Sequence, residues 1–313
     1  MCSSDLNQTR PDLIEPQGQT AEALRPTLVP AHVSAEKKRE ILRYVWQEAG
    51  PLFLLSIGQG VSEAIYDPIW RGALRSKSPE YLFEKWRRFE KFSHSFNRLR
   101  IDPVNQTKAE FQRHTIDGGV PTLPENLFIC GLMIALLEKI GCLELSCEMP
   151  LQDGTPFLLR ANGKFRLPPD AESLNSALWK IEWQNFSPRL MAQDIEASTL
   201  PAVPNIPNIN ETIERLLRLL MMDVSQQWKI DELAREAGMS KRSLQRKLTD
   251  VGLSFSNLVR LVRIQEACTL LEKSDVAVTS VAFGTGFSDS AHFSRDFRSS
   301  MGMTPTDYRV GLR

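Results

Sequence analysis

The side chains best suited to chemistry in this chain are hydrogen-bond donors gathered in one short C-terminal stretch. Four cations and one amide fall close together: Lys241, Arg242, Gln245, Arg246 and Lys247. Arginine and glutamine form paired hydrogen bonds with the edges of guanine and adenine, and lysine neutralises phosphate groups. This combination predicts contacts with a nucleic acid.

The same stretch belongs to a pattern that occurs twice. Five positions of the first copy have a similar residue 48 positions later: Ile230 and Val278, Leu233 and Val281, Ala234 and Ala282, Gly238 and Gly286, and Ser240 and Ser288. In each copy a short helix precedes a glycine that tolerates positive φ, and a serine then predicts the N-cap of a second helix. This is the pattern of a helix-turn-helix motif. Two motifs predict that a single subunit contacts two successive major grooves of DNA.

In the second copy, the helix face that we expect to contact bases has fewer hydrogen-bonding groups suited to base recognition than in the first. Its polar side is formed by Ser288, Ser290, Ala291, Ser294, Arg295 and Arg298. The side chain of Ala291 forms no hydrogen bond and can contact only a thymine methyl group. Asp289 opposes phosphate unless it caps the helix or accepts a hydrogen bond from a cytosine amine. We therefore expect residues 240–247 to dominate base recognition.

The C-terminal third of the chain resembles the DNA-binding domain of AraC/XylS-family transcription regulators. The resemblance covers roughly residues 208–313. It is strongest in the segment 286–309, including Gly302, Thr304, Pro305, Tyr308 and Arg309. It implies an all-α domain of seven helices, of which the third and sixth read DNA. By motif position, it implies base contacts from Arg242, Gln245 and Arg246 in the third helix and from Ser290, Ala291, Ser294 and Arg295 in the sixth.

A long fourth helix between the two motifs suits residues 255–273. Leu258, Val262 and Leu271 belong to its apolar stripe. A helix of this length spans about 28 Å, which is of the same order as the distance of about 34 Å between successive major grooves. We expect this helix to be a semi-rigid spacer between the two readers.

The first part of the chain is less regular. Residues 1–34 lack periodic apolar positions and predict a disordered tail, and a helical pattern then runs from Glu36 to the Ala49-Gly50-Pro51 stop. Residues 79–99 predict one long helix, because aromatic residues recur there at spacings of three and four: Phe83, Trp86, Phe89, Phe92 and Phe96. Core packing is the favoured explanation of this aromatic stripe, and a ligand-pocket wall or a dimer seam is the alternative.

The following residues change from helical to strand-like patterns. The apolar run 127–137 predicts a buried helix, and strands are predicted at 143–148, 156–161 and 179–186 with turns at 152–155 and 161–164. The N-terminal part is therefore an α+β domain, helices first and a small antiparallel sheet after. We expect a sensor or dimerisation domain at 36–197, a Pro- and Asn-rich linker at 198–210 and the DNA-binding domain at 211–313.

Composition excludes several function classes. The 38 Lys and Arg balance 38 Asp and Glu, so the net charge of zero indicates modest non-specific affinity for DNA. Five cysteines without CxxC spacing and four scattered histidines predict no metal site and no catalytic centre. We expect no enzyme and no cofactor. The run 127–137 is too short to span a membrane, and no signal peptide is expected, which predicts a cytoplasmic protein.

These features together predict a transcription regulator. Its expected partners are double-stranded promoter DNA, RNA polymerase, a second copy of the chain bound through residues 36–197, and a small-molecule effector; an activating role is expected. The alternative is a constitutive DNA-binding or architectural protein whose N-terminal domain only dimerises. An enzyme fused to a DNA-binding domain would need a reactive cysteine with a metal shell, which the sequence does not contain.

Overall fold

The computed structural model describes residues 34–57, 60, 68–92, 96–188, 210–273 and 275–311. The predicted tail at 1–34 and the predicted linker at 198–210 lie outside these residues, apart from residues 34 and 210. The described part has an N-terminal α+β region and a C-terminal helical region, which confirms the expected fold class. No helix in the described ranges has the length and apolar character needed to cross a membrane.

The described N-terminal helices are α1 (Ala35–Ala49), α2 (Pro51–Ile57), α3 (Pro68–Leu74), α4 (Pro79–Phe92) and α5 (Leu123–Ile140). α1 begins where Ser34 Oγ accepts a hydrogen bond from the Lys37 amide at 3.1 Å. It ends at Gly50, whose φ of 79° is easily adopted only by glycine. The predicted stop at this position is confirmed.

α5 is the central helix of the N-terminal region. It begins with a capping box in which the Thr122 amide donates to Glu125 Oε2 at 2.8 Å. The apolar run 127–137 lies inside it and is largely buried, as predicted. Gly131 lies where α5 crosses α2. A Cβ at this position would come within 2.1 Å of the Leu55 carbonyl oxygen, so the close approach requires glycine.

The strands are β1 (Asn97–Asn105), β2 (Lys108–Thr115), β3 (Cys142–Leu143), β4 (Ser146–Pro150), β5 (Pro156–Ala161), β6 (Lys164–Phe165), β7 (Leu178–Glu182) and β8 (Asn185–Phe186). Six of them form an antiparallel sheet in the order β1-β2-β7-β4-β5-β6, and β3 pairs with β8. The predicted turn at 161–164 joins β5 to β6. Asn162 and Gly163 adopt φ of 50° and 75° there, which these two residue types tolerate.

The helix predicted at 79–99 is too long. α4 ends at Phe92, and β1 begins at Asn97. β1 and β2 form a hairpin, which the helical spacing of the aromatic residues did not predict. Leu99 and Ile101 are buried and Arg100 between them is exposed, which is the alternation of a strand with one buried face.

The strands predicted at 143–148 and 179–186 are each divided in two. Glu144 has a φ of 53°, which interrupts the extended backbone between β3 and β4. β7 ends at Glu182, and β8 begins at Asn185. The two short strands β3 and β8 then pair with each other outside the main sheet.

The aromatic stripe belongs mainly to the core of this region. Phe83 and Trp86 are only 1% and 5% exposed. Phe83 meets Phe111 edge-on at 5.7 Å between ring centroids, and Phe111 stacks on Trp179 at 5.8 Å. Core packing is therefore the correct explanation for this part of the stripe.

The C-terminal region contains α6 (Glu211–Met222), α7 (Ile230–Glu236), α8 (Lys241–Thr249), α9 (Phe255–Lys273), α10 (Val278–Gly284), α11 (Ser290–Met301) and α12 (Pro305–Gly311). These are seven helices between residues 210 and 311, the number implied by the resemblance. α8 and α11 are the third and sixth of them. α9 has the bounds 255–273 predicted for the spacer.

This region has two apolar cores, one for each helix-turn-helix motif. The first contains Leu217 of α6 and Leu244 of α8, and the second contains Phe293 of α11. α9 contributes to both, with Leu258 in the first core and Ala267 in the second. The two motifs are thus separately packed units that share one long helix.

Candidate DNA-binding surface

α7 and α8 form the first helix-turn-helix motif. Gly238 makes the turn with a φ of 67°, and the Met239 amide donates to the Ala234 carbonyl at 2.9 Å. Ser240 is the N-cap of α8, as predicted, because its Oγ accepts from the Ser243 amide at 3.2 Å. The turn and the cap together determine where α8 begins and which side chains its outer face presents.

The outer face of α8 carries the predicted reading side chains. Leu244 and Leu248 are 0% and 1% exposed and hold the inner face against the first core. Arg242, Gln245 and Arg246 are exposed. Their spacing of three and four residues places them on one face of the helix, so that their donors can enter one groove together.

The two lysines of α8 have different surroundings. Lys241 is exposed and pairs with Asp231 at 3.0 Å. Such an exposed pair contributes little, so the ammonium group remains able to reach a phosphate. Lys247 is half-buried and donates to Thr212 of α6 at 3.3 Å. Lys247 therefore also braces α8 against α6, a contact that the sequence did not predict.

α10 and α11 form the second motif, and its cap differs from the prediction. Gly286 turns the chain with a φ of 89°. The N-cap of α11 is Asp289, whose Oδ1 accepts from the His292 amide at 2.7 Å, and not Ser288. Ser288 Oγ instead lies 3.2 Å from Asp289 Oδ2. The hydrogen bond from the His292 amide lowers the pKa of Asp289. We expected an acidic residue here only as a helix cap or as an acceptor from a cytosine amine, and Asp289 is a helix cap.

The outer face of α11 is smaller and less charged than that of α8. Phe293 and Phe297 are both 0% exposed and form its inner face. Ala291, Arg295 and Arg298 are exposed; Ser290 and Ser294 are half-buried. Positions 291, 294, 295 and 298 follow helical spacing and share one face. The structure thus brings the predicted residues of α11 together on one surface.

Arg263 of α9 has a structural role that the sequence did not reveal. Its Nη2 donates to the Gln226 carbonyl, in the loop before α7, at 3.0 Å. Its guanidinium also lies 5.9 Å from the ring centroid of Phe287, in the second motif. Burial lowers the pKa of Arg263 to about 10. The sequence alone did not distinguish Arg263 from the other charged residues of α9.

Three of the C-terminal residues that carried the resemblance stabilise the second motif. Tyr308 Oη donates to Glu272 of α9 at 2.6 Å, and Arg309 Nη2 donates to the Val276 carbonyl at 2.6 Å. Gly302 ends α11 with a φ of 77°. Tyr308 and Arg309 therefore hold α12 against α9 and the residues that follow α9.

Comparison with known proteins agrees with this geometry. Residues 233–310 match the family model described as a helix-turn-helix domain. The chain is 28% identical over 95 residues to the HTH-type transcriptional activator FapR of Escherichia coli, covering 30% of this chain and 36% of that protein. It is 40% identical over 82 residues to the HTH-type transcriptional activator RhaS of Klebsiella pneumoniae (strain 342), covering 26% of this chain and 30% of that protein.

A crystal structure of a DNA-binding transcriptional dual regulator from Escherichia coli K-12 is also similar. It is 27% identical, covers 34% of this chain and 95% of that chain, and has a TM-score of 0.32. The alignments with FapR and RhaS span about a third of those relatives' length. Residues 233–310, which the family model matches, include both α8 and α11. Residues 233–310 are therefore similar to a helix-turn-helix domain, and the relatives named above are HTH-type transcriptional activators.

Proposed function

We propose that the whole protein is a cytoplasmic transcription regulator that binds promoter DNA through α8 and α11 and acts on RNA polymerase. The observation that carries this proposal is the pair of reader helices, each begun by a side-chain cap and each with an exposed polar face. FapR and RhaS are both described as transcriptional activators, which favours an activating role.

The two readers contribute unequally in this proposal. α8 presents Arg242, Gln245 and Arg246, which can pair with base edges in the major groove. α11 presents Ala291 and two arginines, so it has fewer donors for direct readout. Lys241 and Arg298 supply phosphate contacts that position the domain on the duplex.

Footprinting tests the two-reader geometry. Binding sites are first selected from random double-stranded oligonucleotides with the full chain, and the complex is then cleaved with hydroxyl radicals. Two protected patches are expected on one face of the duplex, about one helical turn apart for each subunit. Protection of a single groove segment would contradict reading by both helices.

We propose that the second copy of the chain binds the exposed apolar face of α1 and α2. Ile41 and Tyr44 of α1 are 48% and 62% exposed, and Leu52 and Phe53 of the next helix, α2, are 47% and 46% exposed. Several large apolar side chains exposed on two consecutive helices are characteristic of an interface. Dimerisation would raise the affinity of a weakly charged DNA-binding domain through effective concentration.

The charges beside this face support a second copy as the occupant. Lys37, Ile41, Tyr44 and Glu48 follow helical spacing along one face of α1. In an antiparallel pair of α1 helices, symmetry places Lys37 opposite Glu48 of the other copy, and Ile41 opposite Tyr44. The surface is therefore complementary to itself in both charge and apolarity.

Light scattering of the full chain tests the dimer. Tyr44→Glu should convert a dimer into a monomer, because it places a charge in the centre of the apolar face. Gln47→Glu is the matched control, since it adds the same charge to the neighbouring polar side of α1 and should leave the dimer intact. A monomeric wild-type chain, or equal behaviour of both variants, would contradict the assignment.

A small-molecule effector has a candidate site in the N-terminal region. A cavity of about 590 Å³ is lined by Asn105, Glu144, Asn162 and Trp183, among others. Its volume falls in the range of ligand sites. Trp183 is 3% exposed, and its indole nitrogen has no hydrogen-bond partner in the described part of the chain. The polar lining favours a polar metabolite.

A thermal-shift screen of metabolites against the full chain tests the effector. A metabolite that stabilises wild type but not a Trp183→Phe variant would support a sensor that uses this cavity. If no metabolite stabilises the wild-type chain, the protein is better described as a constitutive DNA-binding protein whose N-terminal region only dimerises.

A further inference from the structure

One N-terminal helix, α4, contacts both helix-turn-helix motifs. Near its start, Tyr81 donates a hydrogen bond to Glu232 of α7, in the first motif. Near its end, Phe89 meets Phe283 of α10, in the second motif, with ring centroids 5.6 Å apart. The first helix of each motif, α7 in one and α10 in the other, is therefore attached to α4.

Polar contacts attach the start of α4 to the first motif. Lys77, just before α4, lies with its Nζ 4.4 Å from the ring centroid of Trp228 and 3.6 Å from Glu236. One turn after Tyr81, Lys85 pairs with Asp223 at 2.5 Å, in the loop between α6 and α7. Lys85 and Asp223 are 6% and 2% exposed, so this contact excludes water.

The attachment to the second motif combines a contact between an arginine and a ring, a very close approach of two helices and an ion pair. Arg88 lies over the ring of Phe283 at 4.9 Å. The preceding helix, α3, packs directly on α10: a Cβ on Gly284 would lie 2.3 Å from Pro68 Cβ. Arg71 of α3 also pairs with Glu266 of α9 at 3.3 Å. The glycine at position 284 thus permits a backbone approach that no other residue type would allow.

Without these contacts, the two motifs are connected by α9, by the contacts of Arg263 with Gln226 and Phe287, and by a hydrogen bond from Gln227 Nε2 to the Gly286 carbonyl at 2.8 Å. Each motif has its own core, and these cores share only α9 among their helices. A single helix resists stretching, but it allows bending and rotation between the units at its two ends. A second rigid element fastened to both units removes that freedom.

We propose that α4 is a splint that fixes the relative orientation of the two helix-turn-helix motifs, and so determines which spacing of half-sites the protein accepts. This inference rests on the proposed binding of DNA by both readers. One inserted base pair moves a half-site by about 3.4 Å and rotates it by about 35°. Readers held by the splint cannot follow that displacement, whereas readers joined only by α9 and the few contacts of Gln227 and Arg263 can.

The test substitution is Gly284→Ala in the full chain. The added Cβ forces α3 away from α10, because its nearest neighbours are the Cβ and the backbone of Pro68. Trp70 of α3 lies 6.2 Å from Phe89 of α4 between ring centroids, so this displacement also disturbs the contact of α4 with Phe283. Alanine is itself a better helix former than glycine, so α10 is not weakened by the change. Tyr81→Phe is a second, milder variant that removes only the hydrogen bond to Glu232. Lys91→Ala, on an exposed position of α4, is the control.

Sites are selected from random double-stranded oligonucleotides with each protein, and affinity is then measured as the half-site spacing is changed by one base pair. Wild type and Lys91→Ala should prefer one spacing by about tenfold, the size of a typical coupling between sites. Gly284→Ala should select the same half-site sequences with most of that preference lost. Tyr81→Phe should lose part of it.

The outcomes separate this inference from the proposed function. If wild type selects no sequence at all, the proposed function fails and the splint fails with it. If wild type selects a bipartite site and both variants keep its spacing preference, the splint alone is overturned. If Gly284→Ala does not fold, an unchanged preference in Tyr81→Phe overturns the proposal and a reduced one supports it.

Discussion

Lys85 and Asp223 form a buried ion pair that joins the N-terminal region to the DNA-binding region. Their charged atoms are 2.5 Å apart, and the side chains are 6% and 2% exposed. Lys85 also donates to the Gly72 carbonyl at 2.6 Å, and Asp223 accepts from Ser225 at 2.7 Å. Burial lowers the pKa of Lys85, and the Asp223 carboxylate opposes that shift. Each charge therefore offsets part of the cost of burying the other.

Removing one partner of this pair should cost more than removing both. Lys85→Met is expected to lower the free energy of unfolding by about 3–5 kcal/mol, because it leaves the Asp223 carboxylate buried and unpaired. Adding Asp223→Leu to that variant should recover much of the loss. Urea denaturation of the single and double variants measures the coupling. Strictly additive effects would show that the two charges do not depend on each other.

Alkaline pH should weaken the contact between α4 and α7. Burial, followed by the Glu232 carboxylate, raises the pKa of Tyr81 from 10.0 to about 12. Because the folded pKa lies above the ordinary value, this contribution is complete below pH 10 and is lost as pH rises towards 12. The stability difference between wild type and Tyr81→Phe should shrink over that interval. A difference that stays constant through it would contradict this role of Tyr81.

Asp289 and Ser288, at the start of α11, should differ in how much they contribute to stability. Asp289→Ala should lower the free energy of unfolding by about 0.5–2 kcal/mol, because the His292 amide loses its acceptor. Ser288→Ala should change it by less than about 0.5 kcal/mol, since its hydroxyl does not cap the helix. Chemical denaturation followed by circular dichroism measures both. An equal loss in the two variants would mean that Ser288 shares the cap.

Base reading and phosphate binding should separate within α8. Arg246→Ala should lose about 1–3 kcal/mol of discrimination at particular base pairs, and Gln245→Ala somewhat less. Lys241→Ala should weaken binding to all sequences alike and reduce the dependence of affinity on salt. Competition with random-sequence DNA measures the distinction. If Arg246→Ala lowered specific and random-sequence affinity equally, α8 would not be reading bases through that residue.

Local signals were enough to predict much of the C-terminal region. Ser240 caps α8 and Gly238 turns the chain as expected, because caps and turns depend on residues only a few positions apart. The bounds of α9 were predicted from the apolar stripe in residues 255–273 together with the long fourth helix that the resemblance implied. Ser288 and Asp289 show the limit of such signals: both are good cap residues, and only the backbone path decides which side chain meets the free amide.

The N-terminal region shows where local patterns compete. Aromatic residues at helical spacing predicted a helix through residue 99, although Leu99 and Ile101 already alternate as in a strand. A short stretch can satisfy both periodicities. Pairing of β1 with β2 decides between them, because a strand is stabilised by its neighbour and not by its own residues.

The sequence by itself determined two helix-turn-helix motifs, the long helix between them and an α+β region before them. Only the tertiary structure decided that α4 fastens both motifs. Lys85 and Asp223 lie 138 positions apart, and Gly284 is small because Pro68 packs against it. No local pattern marks such pairs, since each residue alone fits many surroundings. These residues come into contact only when packing brings distant helices together and excludes water from between them.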